Sequence, residues 1–268
     1  MAVTEASICK LALTRIGQDP NSLTALADAT KEGRLATVHY EPSRDAVLRA
    51  HPWNFAIKRA DLAQVTQAIT AITKANPAVV TYSGADSFAN GDTVAIAAVV
   101  GMTEMNGRSA TVANVNTGAN TLELSGIDST SFTTYVSGGT IAIAPLFEFA
   151  ARFPLPTDCL KVIRTESESA GINAEYRVEG RWISTDDDEC AIEYIAQITD
   201  TTQFDALFVD LLAQRLAAEM CMPLTSNANL TEKLWSIYND KLAEARGTDS
   251  QEGTMRPLVA DLWTGARL

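Results

Sequence analysis

The sequence predicts an α+β fold: a helical-bundle core with a small antiparallel sheet, an inserted all-β barrel or sandwich, and an extended C-terminal tail. Three observations carry the expectation. Segments near both ends repeat apolar residues at the helical period, as in Ile8, Leu11, Ala12 and Ile16, or Phe204, Leu207, Phe208, Leu211 and Leu212. Between them, residues 66–144 hold only seven charged side chains and are rich in Thr, Ala, Val, Ser, Gly and Asn. Residues 248–268 bring apolar bulk without a period. The expected parts are therefore a core formed by 1–65 and 145–247, an all-β insert at 66–144, and a tail at 248–268.

Residues 4–17 read as a helix, with Gly17 at its C-terminal end. Asp28 or Thr30 caps a second helix running towards Ala50. Its buried positions are Leu35, Val38, Ala46 and Val47, with a kink or break at Pro42. Pro52 disfavours the helical region at His51. Trp53, Phe55 and Ile57 then alternate with Asn54, Ala56 and Lys58, the pattern of a half-buried strand.

In the insert, short β-branched runs are separated by the turn signals Asn90-Gly91, Asn106-Gly107, Gly118-Ala119-Asn120 and Ser137-Gly138-Gly139. The flanks at 53–62 and 147–155 are strand-like and would pair as a hairpin. The insert would sit at its tip, where the cost of loop closure grows only logarithmically with length. Short strands follow at 160–164, 175–179, 182–184 and 191–196, with Glu179-Gly180 as a turn. A long helix from Thr201 or Thr202 ends at Pro223. Its antiparallel partner starts near 225–231, buries Leu230, Leu234, Ile237, Tyr238 and Leu242, and stops at Gly247.

With 46% hydrophobic and 20% charged residues, the chain can bury a core and is not disordered overall. A formal charge of −12 argues against a protein that grips nucleic acid through its phosphates. It suits a negative wall that DNA slides past. Cys9, Cys159, Cys190 and Cys221 are far apart and read as plain buried thiols in a reducing cytosol. The start lacks a basic stretch followed by an apolar run, so no signal peptide is expected, and no apolar run reaches the length of a membrane span.

Candidate chemistry is sparse. His51 sits at a helix-to-strand corner and is expected to cap a backbone carbonyl, while His39 has no metal-ligand partner at helical spacing. Asp186-Asp187-Asp188-Glu189 lacks the alternation and glycine of a calcium loop and reads as a solvated turn. Glu166 and Glu168 could pair as carboxylates for glycoside cleavage, but such pairs arise by chance in an acidic chain. No catalytic residue, metal or cofactor is expected. The tail either folds back on its own core or is a docking strap; Arg256, Pro257, Leu258, Val259, Leu262, Trp263 and Arg267 carry the strap reading, because Trp and Arg are typical interface anchors.

Arg44, Asp45, Leu48, Arg49 and His51-Pro52-Trp53-Asn54-Phe55-Ala56 resemble the tail tubular protein A family, the head-to-tail adaptors of short-tailed bacteriophages. Ile8–Gly17, Phe153-x-Leu155-Pro156-x-Asp158-Cys159-Leu160, Val178-Glu179-Gly180 and Phe204–Phe208 extend the resemblance in order. What it implies is a virion structural protein without enzymatic activity, assembled in the host cytoplasm. It would form a ring, usually of twelve copies, between the portal protein and the tail nozzle protein. DNA would pass through the channel without specific binding, no membrane would be involved, and the tail would bind the portal. The alternatives are a virion-associated peptidoglycan hydrolase using the carboxylates above, or a glycan-binding tail accessory. The latter would stack sugars on Tyr82, Phe88, Phe132 and Tyr135 of the insert.

Overall fold

Thr4 opens the first helix: its hydroxyl accepts from the Ser7 amide while Ser7 Oγ accepts from the Thr4 amide, a reciprocal cap. In the computed structural model this helix is α1 (Glu5–Arg15), and it belongs to a unit formed by Met1–Ile57 and Ile195–Leu268. The structure describes residues 3–84, 88–145, 148–166 and 175–252. The tail residues Arg256, Pro257, Leu258, Val259, Leu262, Trp263 and Arg267 lie outside them.

Thr30, not Asp28, caps α2 (Lys31–Ala50) by accepting from the Gly33 amide. Position 33 admits no side chain, because a Cβ there would lie 2.8 Å from Asp28 Cβ. Pro42 is carried inside α2 without ending it. α3 (Ala206–Thr225) likewise carries Pro223 inside and ends at Ser226, whose left-handed backbone (φ 53°) stops the helix. α4 (Ala228–Asp249) runs past Gly247.

α1, α2 and α4 all pack on α3. Four consecutive positions of α3, Leu211–Gln214, are buried, so its middle is enclosed on every side, while Met222 near its end is exposed. Val38, expected inside, is 64% exposed on α2, and Ile237 is 43% exposed on α4.

The corner after α2 differs from the expected strand. Residues Asn54–Ala56 form a 3₁₀ turn, which drives Trp53 inward instead of alternating it with its neighbours. Trp53 Nε1 donates to the Val47 carbonyl at 2.9 Å, and its ring meets Phe208 edge-on at 5.5 Å. His51 does not cap a carbonyl; its Nε2 lies 3.0 Å from Asp249 Oδ2. The Asn54 amide donates to Asp249 Oδ1 and Asn54 Nδ2 to the Asp249 carbonyl, so the last turn of α4 is pinned to the corner.

The second unit, Lys58–Tyr194, is built from strands. The segments β2 (Thr66–Ile72), β3 (Ala78–Ser83), β4 (Thr93–Val100), β5 (Ser109–Asn116), β6 (Thr121–Ser125) and β7 (Ser137–Ile143) close into a barrel of order β2-β3-β6-β5-β4-β7. Its interior is filled by alternate residues such as Val80, Val94, Ile96, Val112, Leu122, Leu124 and Ile141. The remaining strands form two three-stranded sheets. One joins β1 (Ile57–Leu62), β12 (Cys190–Ala196) and β9 (Cys159–Glu166). The other joins β10 (Tyr176–Glu179), β11 (Trp182–Thr185) and β8 (Ala151–Pro154).

Twelve strands in three sheets stand against four α-helices among the described residues, so the chain is largely β. This corrects the expected α+β fold with a helical-bundle core and one small sheet. The six strands outside the barrel make two sheets, whose short, half-buried runs carry less periodic signal than long helices. The expected hairpin of flanks does not form either: β1 pairs with β12, and β8 pairs with β11 through Phe153 opposite Ile183.

Asp210 ties three helices together. Arg15 of α1 and Lys241 of α4 both bond its carboxylate on α3. Partial burial pushes this carboxyl up, but the hydrogen bond from Lys241 and the charges of Arg15 and Lys241 outweigh burial and hold it below the ordinary carboxylate value. The contribution is therefore complete above the unfolded pKa and is lost as pH falls through the lower folded one. Asp210→Asn should cost about 1 kcal/mol at neutral pH, after solvent screening of a carboxylate this exposed. Thermal melts of variant and wild type should differ at pH 7 and converge in acid; equal melts at pH 7 would contradict this role.

Candidate functional site

The barrel's register defines two ends. The chain enters and leaves side by side: Thr66 pairs with Ala142, and the Ile143 amide donates to the Val65 carbonyl at 2.9 Å. Val94 pairs with Ile143 at this root, while Val100 pairs with Ser137 at the opposite end. The loops 73–77, 101–108 and 126–136 gather at that far end.

Polar bridges lock these loops. Ser129 is fully buried; its Oγ donates to the Thr73 carbonyl at 2.7 Å and accepts from the Ala75 amide at 3.0 Å. Glu104 accepts from the Thr133 amide at 3.0 Å and from its hydroxyl at 2.6 Å. Those bonds, the hydroxyl first, hold the Glu104 carboxyl below its ordinary value. Arg108 donates through Nε to the Glu104 carbonyl and lies 5.1 Å above the Phe132 ring. Asn106 bonds both the amide and the carbonyl of Val99.

Among the described residues, concave places also occur elsewhere. In the sheet β1-β12-β9, Glu193 accepts from Arg164 through Nε at 3.0 Å and Nη2 at 2.5 Å, and Arg59 lies 3.5 Å away. They line a cavity of about 90 Å³ together with Asp61. Glu193 already pairs with both cations, so the arrangement reads as a cross-strand ion network. In the first unit, Thr4, Glu5, Thr24, Thr199, Asp200 and Thr201 line an open groove of about 440 Å³. Asp200 there is occupied by the Thr202 amide and hydroxyl.

The sequence's candidate residues are not brought together. His39 is half-buried in α2, and His51 serves the corner. All four cysteines are buried and free. Burial pushes the Cys9 thiol up to about 12 and the Cys190 thiol up to about 11, leaving both protonated at neutral pH. Asp186 accepts from the Ala150 amide. No grouping of three His, Cys, Asp or Glu among the described residues is placed to hold a metal. Glu168 lies outside the described residues, as does the Glu166 side chain. Of the four aromatics considered for stacking, Tyr82 and Phe88 are core residues packed edge-on at 5.1 Å, and Arg108 covers Phe132. Sequence reading missed Glu104, Ser129 and Thr133, because their partners lie 29 to 56 residues away and follow no period.

Residues 75–143 match the family described as the ubiquitin-activating enzyme E1 FCCH domain. The match covers the barrel from just after β2 to the end of β7, about a quarter of the chain. It is a non-catalytic domain, so residues 75–143 carry no implied catalytic role. The finding corrects the resemblance drawn from the sequence, since the family recognised here is not a phage adaptor family. No curated protein matches the chain.

The buried Ser129 bridge generates a test of how firmly the far end is held. Ser129→Ala leaves the Ala75 amide without its side-chain acceptor and should cost about 1–3 kcal/mol. Amide exchange at Ala75 should accelerate in the variant while exchange at the root, at Ile143, stays slow; unchanged exchange at Ala75 would show that Ser129 does not hold the loop.

Proposed function

We propose that this chain is a non-enzymatic structural subunit of a virion. It acts as a head-to-tail adaptor that packs side by side with its own copies into a ring between a portal and a tail nozzle, extending the DNA channel. The observation that carries the reading is the exposed apolar residues on the helices, of which Val38 and Ile237 stand on different elements. The middle of α3 is buried, yet α1 presents Leu11, α2 Val38, the end of α3 Met222 and α4 Ile237 to solvent. A heterologous contact needs two different patches on one subunit, and repetition of such a contact closes into a ring when the rotation allows.

Three features agree with this assignment. A charge of −12 suits a wall that repels the phosphate backbone, so DNA passes without being held. The protonated thiols of Cys9 and Cys190 are poor nucleophiles. The barrel, with its ends adjacent at Val65 and Ile143, is suited to display from a host surface. In this account twelve copies form the ring, and the portal contact falls to Arg256, Pro257, Leu258, Val259, Leu262, Trp263 and Arg267 of the tail.

Val38→Asp and Ile237→Asp each place a charge on a different patch without touching the core. Mixed with portal, the wild-type chain should form rings visible by negative-stain microscopy, and each variant alone should not. An equimolar mixture of the two should stop at head-to-tail dimers, because one intact face remains on each chain. Rings formed by either variant alone, or a wild type that never assembles on portal, would overturn the assignment.

A further inference from the structure

Among the described residues, the helical unit exposes Leu11, Val38, Met222 and Ile237, and their charged neighbours set two of them apart. Leu11 lies one turn from Arg15, which is engaged by Asp210, and Met222 lies one turn from Glu219, which pairs with Arg215 at 3.6 Å. The charges around Val38 and Ile237 are not engaged in this way. On α2, Arg34 precedes Val38 by one turn and Glu41 follows it by one turn. On α4, Lys233 precedes Ile237 by one turn and Asp240 follows it by one turn. All four are exposed and have no ion-pair partner among the described residues; Arg34 donates to the Ala29 carbonyl at 2.5 Å.

Two helix faces that both read cation, apolar, anion from N- to C-terminus match only when they run antiparallel. Arg34 of one copy then meets Asp240 of the next, Val38 packs on Ile237, and Glu41 meets Lys233. A parallel arrangement would set cation on cation and anion on anion. One turn further out, Lys31 of α2 meets Glu244 of α4, and both are exposed. From Lys31 to Glu41 this contact runs about 15 Å along α2.

Like helices match less well. α2 against α2 would set Lys31 opposite Asp45, whose carboxylate is already held by Arg44 at 2.9 Å and by the Gln197 side chain at 2.7 Å. α4 against α4 would set the unengaged acid Glu244 opposite the half-buried Leu230. In the unlike pairing Glu244 has a cation, and Leu230 falls beside the exposed Pro42 and the occupied Asp45.

We propose, resting on the ring reading above, that the contact repeated around the ring is α2 of one copy laid antiparallel on α4 of the next. The charges choose partner and direction more than they add strength. One helix pair is smaller than a stable interface requires. The contact is therefore populated where copies are gathered on portal and their effective concentration is high.

Disulfide trapping in the full chain tests it. The four native cysteines are buried, so a mild oxidant joins only introduced thiols. Val38→Cys combined with Ile237→Cys, mixed with portal and oxidised, should run as a ladder of linked copies on a gel without reductant. Either substitution alone should leave single chains. Added to that pair, Glu41→Lys or Lys233→Glu should lower the linked fraction by about tenfold at low salt. The two reversals together should restore it, because each meets the other across the contact. Links formed by either cysteine alone would show like helices meeting and overturn the proposal. Rings seen by negative-stain microscopy without a ladder, or reversals that do not restore one another, would also overturn it while leaving the ring assignment standing. A wild type that forms no rings on portal removes that assignment and this contact with it.

Discussion

The barrel depends on one closure. The backbone bond between Ile143 and Val65, with the pairing of Thr66 to Ala142, brings the two ends of the barrel's chain to the same point. Six strands then close on themselves without a free edge, and the interior is filled by their own alternating residues. A module entered and left at one point asks of its host only a short loop. That is why about eighty residues can be carried at modest entropic cost.

The stabilising logic differs between the two units. In the helical unit, burial around α3 does most of the work, and a few ionic groups choose the geometry. Asp210 links α1, α3 and α4, and Asp249 fixes the end of α4 against His51 and Asn54. At the far end of the barrel, polar side chains hold loops that also bury Met102, Met105 and Ile127 in the barrel's core. Ser129, Glu104 and Asn106 take up backbone groups that would otherwise be left unpaired.

Much of this was legible in the chain and some was not, for physical reasons. The runs at 78–82, 109–115 and 121–124 became β3, β5 and β6, and Glu179-Gly180 became a tight turn at φ 61°. These signals are local, since β-branching and a positive φ are properties of one or two residues. Trp53 and Phe55 misled because alternation over three residues fits a strand and a 3₁₀ corner equally well. Val38 misled for another reason: a valine at helical spacing looks the same whether it faces the core or solvent. The pairing of β1 with β12 joins segments more than a hundred residues apart, which no periodicity encodes. The far-end bridges were hidden for the same reason.

Excision decides whether the barrel is a self-contained module. The full chain is compared with one in which residues 66–143 are replaced by a short Gly-Ser linker joining residues 65 and 144, by far-UV circular dichroism and thermal melting. Closure at Val65 and Ile143 predicts that the helical signal per molecule is retained and that a cooperative transition remains. Loss of the helical signal on excision would mean that the barrel is part of its host's fold, and the account built on that closure would fail.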